Sequence, residues 1–139
     1  LGEWRTPRSK RNLIMATINP TITRIGHHTV EFLSETLTTT NDRGAAIPES
    51  FMDYADRAVQ VLGTFGAGGN LRIEGSNDGG TTYAALTDPQ GNALNVTAAK
   101  VEAITEITLL TRPFVSAGDG TTDLDVSIVC RRSRSGKEI

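Results

Sequence analysis

The residues in this chain on which chemistry could be built are few and scattered. His27 and His28 are adjacent, and side chains of neighbours in a strand point to opposite faces, so the pair cannot close on one metal ion. No cysteine or further histidine stands at a zinc-ligand spacing, and both read as surface or packing residues. Asp119, Asp123 and Asp125, with Gly118 and Gly120 nearby, offer the oxygen ligands that calcium takes. The order of an EF-hand loop and its closing glutamate are missing, so an acidic turn is the expected structure. Gly66-Ala67-Gly68-Gly69 has neither the dinucleotide fingerprint nor the lysine of a phosphate-binding loop, and it joins two strand-like runs. Cys130 falls on the inward parity of an alternating run and reads as packing, and no Gly-x-Ser-x-Gly elbow exists. Asn95-Val96-Thr97 is a glycosylation sequon, which has meaning only on a protein secreted from a eukaryotic cell. No catalytic set, cofactor or metal is expected, and the chain reads as a protein that is not an enzyme.

The elements that carry these residues are strands. The stretch from Arg57 to Ser76 organises the pattern. Val59, Val61 and Phe65 share one parity and Gln60 and Thr64 the other, the period of a half-buried strand. After Gly66-Ala67-Gly68-Gly69-Asn70 the alternation resumes, with Leu71, Ile73 and Gly75 on one side and Arg72, Glu74 and Ser76 on the other. Two alternating runs across a short Gly/Asn segment predict a β-hairpin with a slightly long loop.

Upstream, Thr21 to Leu37 predicts a short strand, a break at Gly26-His27-His28 and a second strand near Thr29–Thr36. Residues 38–44 are a loop by composition, and Pro48 opens a segment able to make one helical turn. Downstream, Asn77-Asp78-Gly79-Gly80 and Asp88-Pro89-Gln90-Gly91-Asn92 are turns that bracket a short strand around Thr82–Leu86. A further short strand follows over Ala93–Thr97. Ala98–Leu110 fits a helical and a strand spacing, and its β-branched content favours strand. Pro113 marks Arg112–Ser116 as an edge strand, because proline cannot donate to a ladder. Asp123–Arg131 has the cleanest alternation, with Leu124, Val126, Ile128 and Cys130 inward. About eight short strands with regular turns predict a single-domain, all-β antiparallel β-sandwich, jelly-roll-like.

Composition and charge agree with that class. The chain has 139 residues, enough for one core, and 22% of them are charged. No run is long enough to cross a bilayer, and no secretory signal is visible. The single cysteine rules out an intrachain disulfide. The net charge of -2 conceals an asymmetry. Residues 1–14 hold Arg5, Arg8, Lys10 and Arg11 against Glu3, and residues 131–139 hold Arg131, Arg132, Arg134 and Lys137 against Glu138, so each end is +3. Residues 15–130 hold six basic and fourteen acidic side chains, a net -8. Basic ends on an acidic body suggest contact arms that reach for something acidic. The organisation expected is an extended basic arm over residues 1–14, a sandwich over 15–131 and a basic tail over 132–139. Arg5, Arg8, Lys10, Arg11, Arg132 and Arg134 are the candidate partner contacts. Met15-Ala16-Thr17 looks like a translation start, which would make the preceding residues an extension.

One resemblance bears on function. It is carried by Val59-Gln60-Val61, Gly63-Thr64-Phe65-Gly66, Gly75-Ser76-Asn77-Asp78-Gly79, Leu86-Thr87-Asp88-Pro89-Gln90-Gly91-Asn92, Arg112-Pro113 and Gly118-Asp119-Gly120-Thr121-Thr122-Asp123. This frame resembles small β-sandwich virion proteins of tailed bacteriophages, and more narrowly the capsid cement (decoration) proteins of short-tailed Bordetella-type phages. The likeness spans about Arg57 to Arg132. It implies a structural jelly-roll protein, made in the host cytoplasm, that sits on the outer capsid surface and clamps neighbouring major capsid protein subunits. Self-association as a dimer on the capsid is expected with it, without nucleic acid or membrane as partner. Gly-Ser-Asn-Asp-Gly is also found in galactose-binding-like sandwiches, so a carbohydrate-binding module (a virion adhesin) is the alternative. The scarcity of aromatics, with the single Trp at position 4, counts against it.

Overall fold

The structure, a computed structural model, describes residues 16–133. Among them, eleven strands form two sheets packed face to face, a β-sandwich. The first sheet contains β1 (Thr17–Ile18), β4 (Arg43–Gly44), β10 (Leu110–Ala117), β6 (Asn70–Ser76) and β7 (Ala84–Ala85) in that spatial order, with β8 (Asn95–Val96) also paired to β6. The second runs β2 (Thr21–Ile25), β3 (Thr29–Leu37), β11 (Asp123–Arg131), β5 (Asp56–Thr64) and β9 (Lys100–Ile104). All pairings are antiparallel except the short β1–β4 contact. The predicted helical turn is a 3-10 turn over Glu49–Phe51, with Pro48 immediately before it.

The core forms because strand alternation sends one side of each sheet inward. Along β11, Leu124, Val126, Ile128 and Cys130 are fully buried, as their spacing predicts. They meet Val30, Phe32 and Leu37 of β3 and Val59 and Val61 of β5 within the second sheet, and Leu71, Ile73 and Val115 face them from the first. The predicted strand in the helix-or-strand segment is β9, and it ends at Ile104.

Two expectations are corrected. The stretch from Arg57 to Ser76 is not a hairpin: β5 and β6 belong to different sheets, and residues 65–69 form an arch between them. The arch is closed by side chains, with the Ala67 N–H donating to Asp119 Oδ2 at 2.8 Å and Thr122 Oγ1 donating to the Phe65 carbonyl at 2.8 Å. Gly66 sits at φ +73, and a Cβ there would lie 2.2 Å from Asp119 Oδ1, so only glycine lets the arch and the β10–β11 loop close on each other.

The second correction concerns β10, which is interior, between β4 and β6. Thr111 and Val115 turn their backbone groups toward the β4 side, where Ile47 N–H donates to Thr111 O and Val115 N–H to Asp42 O. Pro113 has the same parity, so its missing N–H faces the gap between those bonds, and the ladder to β6 stays intact. His27 and His28 sit with Gly26 in the turn of the β2–β3 hairpin, where the predicted break between the two strands falls.

Candidate functional site

The residues proposed for contact from sequence are dispersed. Arg5, Arg8, Lys10, Arg11 and Arg134, and the two arms as such, lie outside the described residues. Arg132 is exposed but anchored to the sandwich. Its backbone N–H donates to His28 O at 2.9 Å, its Nη2 to His27 O at 3.1 Å, and its guanidinium lies 5.1 Å from the Tyr54 ring centroid. The two histidine rings are 6.3 Å apart in a T-shaped arrangement.

The aspartates are turn pins. Asp119 accepts the Thr121 N–H at 2.8 Å and its hydroxyl at 2.7 Å, in addition to Ala67, and these bonds hold its pKa at about 2. Asp125 accepts the Thr36 N–H at 3.0 Å on a different strand, so Asp119 and Asp125 are engaged separately. Asp78 closes the predicted turn after β6, accepting from Thr82 N–H at 2.9 Å and Ser76 Oγ at 2.7 Å, which lowers its pKa to about 2. Asp88 does the same for the next turn, accepting from the N–H groups of Gln90 and Asn92. Cys130 is buried, and desolvation pushes its thiol up to about 11 against the opposing effect of Arg57.

The side chains that do converge lie on the outer face of the first sheet. The register aligns Arg72 of β6 with Phe114 of β10 and Phe114 with Arg43 of β4, a row across three strands. Arg72 and Arg43 place their guanidinium carbons 5.2 and 5.7 Å from the Phe114 ring centroid, and Arg112 lies 5.6 Å away. Arg112 also stacks 3.6 Å from the centroid of the Tyr83 ring. Beneath them Glu74, with 1% of its side chain exposed, accepts from Arg72 at 2.9 Å and Arg112 at 2.6 Å. A buried carboxylate between two guanidiniums fixes their direction, and the rings hold their planar faces.

The cluster has spare donors. Arg112 gives only its Nε to Glu74, and Arg72 gives Nε and Nη2, so both Nη groups of Arg112 and Nη1 of Arg72 donate to nothing among the described residues. Those nitrogens are not among the enclosed unpaired atoms and reach solvent. Such planar forks, with nitrogens exposed, fit carboxylate groups end-on.

The outer face of the second sheet differs in character. Ala103, Ala58 and Val129 line up across β9, β5 and β11, and Val101, Gln60, Ser127 and Leu33 form the next row. Val101 and Leu62 are 60% and 49% exposed. Beside these apolar residues the same face carries Glu31, which accepts the Ser127 hydroxyl at 2.6 Å, Asp125 opposite Leu62, and the Asp56–Arg131 ion pair.

Arg57, which sequence reasoning placed only as the start of a strand, is 4% exposed and faces inward opposite Cys130. Its Nε donates to Tyr54 O at 2.8 Å, its Nη2 to Phe51 O at 3.0 Å and its Nη1 to Thr111 Oγ1 at 3.1 Å. It therefore ties the second sheet to the 3-10 turn and to the first sheet, and burial lowers its pKa. A depression of about 550 Å³ between residues 38–41 and 118–120 is lined by polar loop residues without an aromatic ring.

No protein-family model matches the chain, and no curated protein or solved structure matches it.

Proposed function

We propose that the protein is a structural virion component. It binds the outer surface of a phage capsid and stabilises the shell by bridging major capsid protein subunits. The observation that supports this best is the outer face of the first sheet, where Arg43, Arg72 and Arg112 surround Phe114 on a rigid platform. Arginine and aromatic side chains are the types that protein interfaces concentrate, and here they are ordered before any partner arrives, which lowers the entropic cost of docking. The β-sandwich is also the architecture that the resemblance implies.

A bridging protein needs a second surface. The outer face of the second sheet, where Val101 and Leu62 are largely exposed, is the one that self-association on the capsid would bury. Two faces on opposite sides of one sandwich allow one to grip the shell and the other a second copy. A carbohydrate-binding role is less well supported, since the polar loop depression offers no ring for stacking on a sugar.

Adding purified protein to undecorated shells tests the proposal. Sedimentation with the particles at a fixed, saturable stoichiometry is the expected result. Failure to co-sediment, together with a specific glycan-array signal, would replace the structural reading with the adhesin.

A further inference from the structure

We infer that the Arg43–Arg72–Arg112 face around Phe114 recognises a carboxylate-bearing segment of a partner protein, a short acidic loop or strand. The inference deepens the docking reading of this face and rests on that reading, but not on the partner being a shell.

Three observations point to the occupant. First, the face is cationic within an acidic body. Three of the six basic residues between positions 15 and 130 meet here, two of them on Glu74, while that body as a whole carries -8. Second, the unused donors have a direction. The two Nη groups of Arg112 and Nη1 of Arg72 reach solvent beside the ring, and a paired set of guanidinium N–H groups matches the two oxygens of a carboxylate. Third, the guanidiniums are held in place: Glu74 fixes Arg72 and Arg112 from below, and Tyr83 stacks on Arg112. An incoming carboxylate then meets donors that need not be ordered.

Other occupants fit less well. Residues 1–14 carry a net +3, the same sign as this face. A nucleic acid would run its phosphates past the patch and over an acidic body, with no continuing track of basic residues to follow among the described residues. A short acidic segment meets the patch and ends within it.

The test titrates the full chain, isotopically labelled for NMR, with a capped peptide of alternating glutamate and glycine. The glutamine version of the peptide and a single-stranded DNA oligonucleotide of equal charge are titrated in parallel. Shifts centred on Arg72, Arg112, Phe114 and Tyr83 for the glutamate peptide alone, weakening with added salt, are expected. Arg112→Gln should raise the dissociation constant at least about tenfold. Because that change leaves Glu74 short of a partner, the neutral combination Glu74→Gln with Arg72→Gln and Arg112→Gln repeats the measurement with no buried charge stranded.

Equal binding of the glutamine peptide, shifts centred elsewhere, or undiminished binding by the neutral combination would each overturn the inference. Tighter binding of the oligonucleotide at this face would also overturn it, in favour of nucleic acid. Self-association that the neutral combination abolishes would seat a second copy here and overturn the partner assignment. Wild-type protein that decorates shells yet ignores the glutamate peptide overturns this inference and leaves the capsid reading standing. Peptide binding at this face without decoration supports the inference and removes the capsid.

Discussion

Replacing Arg57 should do more damage than any change on the sandwich surface, and its size can be worked out from three hydrogen bonds. The guanidinium is 4% exposed and donates to Tyr54 O, Phe51 O and Thr111 Oγ1, with no carboxylate in ion-pair contact with it among the described residues. Each charge-assisted bond is worth roughly 1.5–3 kcal/mol, so the three together contribute about 4.5–9 kcal/mol. Against that stands the desolvation of a buried cation, several kcal/mol, which the substitution removes. The difference, with the Tyr54 carbonyl left unpaired and a cavity where the stem was, puts Arg57→Ala at about 3–5 kcal/mol of lost stability. Arg57→Met keeps the stem packing and should cost less, about 2–3 kcal/mol. Arg57→Lys should recover only part of the loss, since an ammonium cannot reach three acceptors in the geometry of the fork. Urea denaturation followed by circular dichroism gives the differences from the midpoints at constant m. Amide exchange should speed first at Met52 and Tyr54, whose N–H groups bond within the turn that Arg57 holds. A cost below about 1 kcal/mol for Arg57→Ala would refute the view that this side chain clamps the two sheets together.

Further predictions concern the core, the turns and the arm. Val126→Asp puts an unpaired carboxylate in the core and should cost several kcal/mol of a total near ~5–15, while Val129→Thr on the outer parity should cost about 0.5; equal damage in thermal melts would contradict the parity. Asp78 and Asp119 have folded pKa values lowered to about 2, so each contributes stability present above the ordinary carboxylate pKa and lost as pH falls through about 2. Asp119→Asn should therefore flatten the acid limb of a stability-against-pH curve, and an unchanged limb would mean that its bonds do not survive in solution. The Cys130 thiol, pushed up to about 11 and buried, should resist alkylation in native protein and react at once on unfolding; fast native labelling would show that β11 opens locally. Deleting residues 1–14, with their charge of +3, should leave the domain folded and weaken retention on particles most at raised ionic strength. Equal retention across a salt series would make those residues dispensable.

The sequence was most legible where one residue in two is buried. The run Leu124, Val126, Ile128, Cys130 predicts both the existence and the facing of β11, because a period of two has only one structural meaning when one face is covered. The turns at Asn77–Gly80 and Asp88–Asn92 were legible for a local reason, since each aspartate bonds N–H groups within four residues of itself. The arch after β5 was not. Gly66-Ala67-Gly68-Gly69 specifies a reversal, but its destination depends on Asp119 and Thr122, more than fifty residues away. The paired stretches of two residues, such as β4 and β7, are too short to carry any period. Of the candidate site, Arg72 and Glu74 were in view, since they share the outer parity of β6. Nothing local says that Phe114 lands opposite Arg72 and Arg43, because register between distant strands is set by the whole sheet.

Electron cryomicroscopy of particles with and without this protein tests the central claim most directly. The account predicts extra density on the outer surface of the shell, fitted by the sandwich, spanning neighbouring capsid subunits, with the Phe114 side of the first sheet turned toward shell carboxylates. Density on the inner surface or at a tail fibre would contradict it, as would particles identical in the two images.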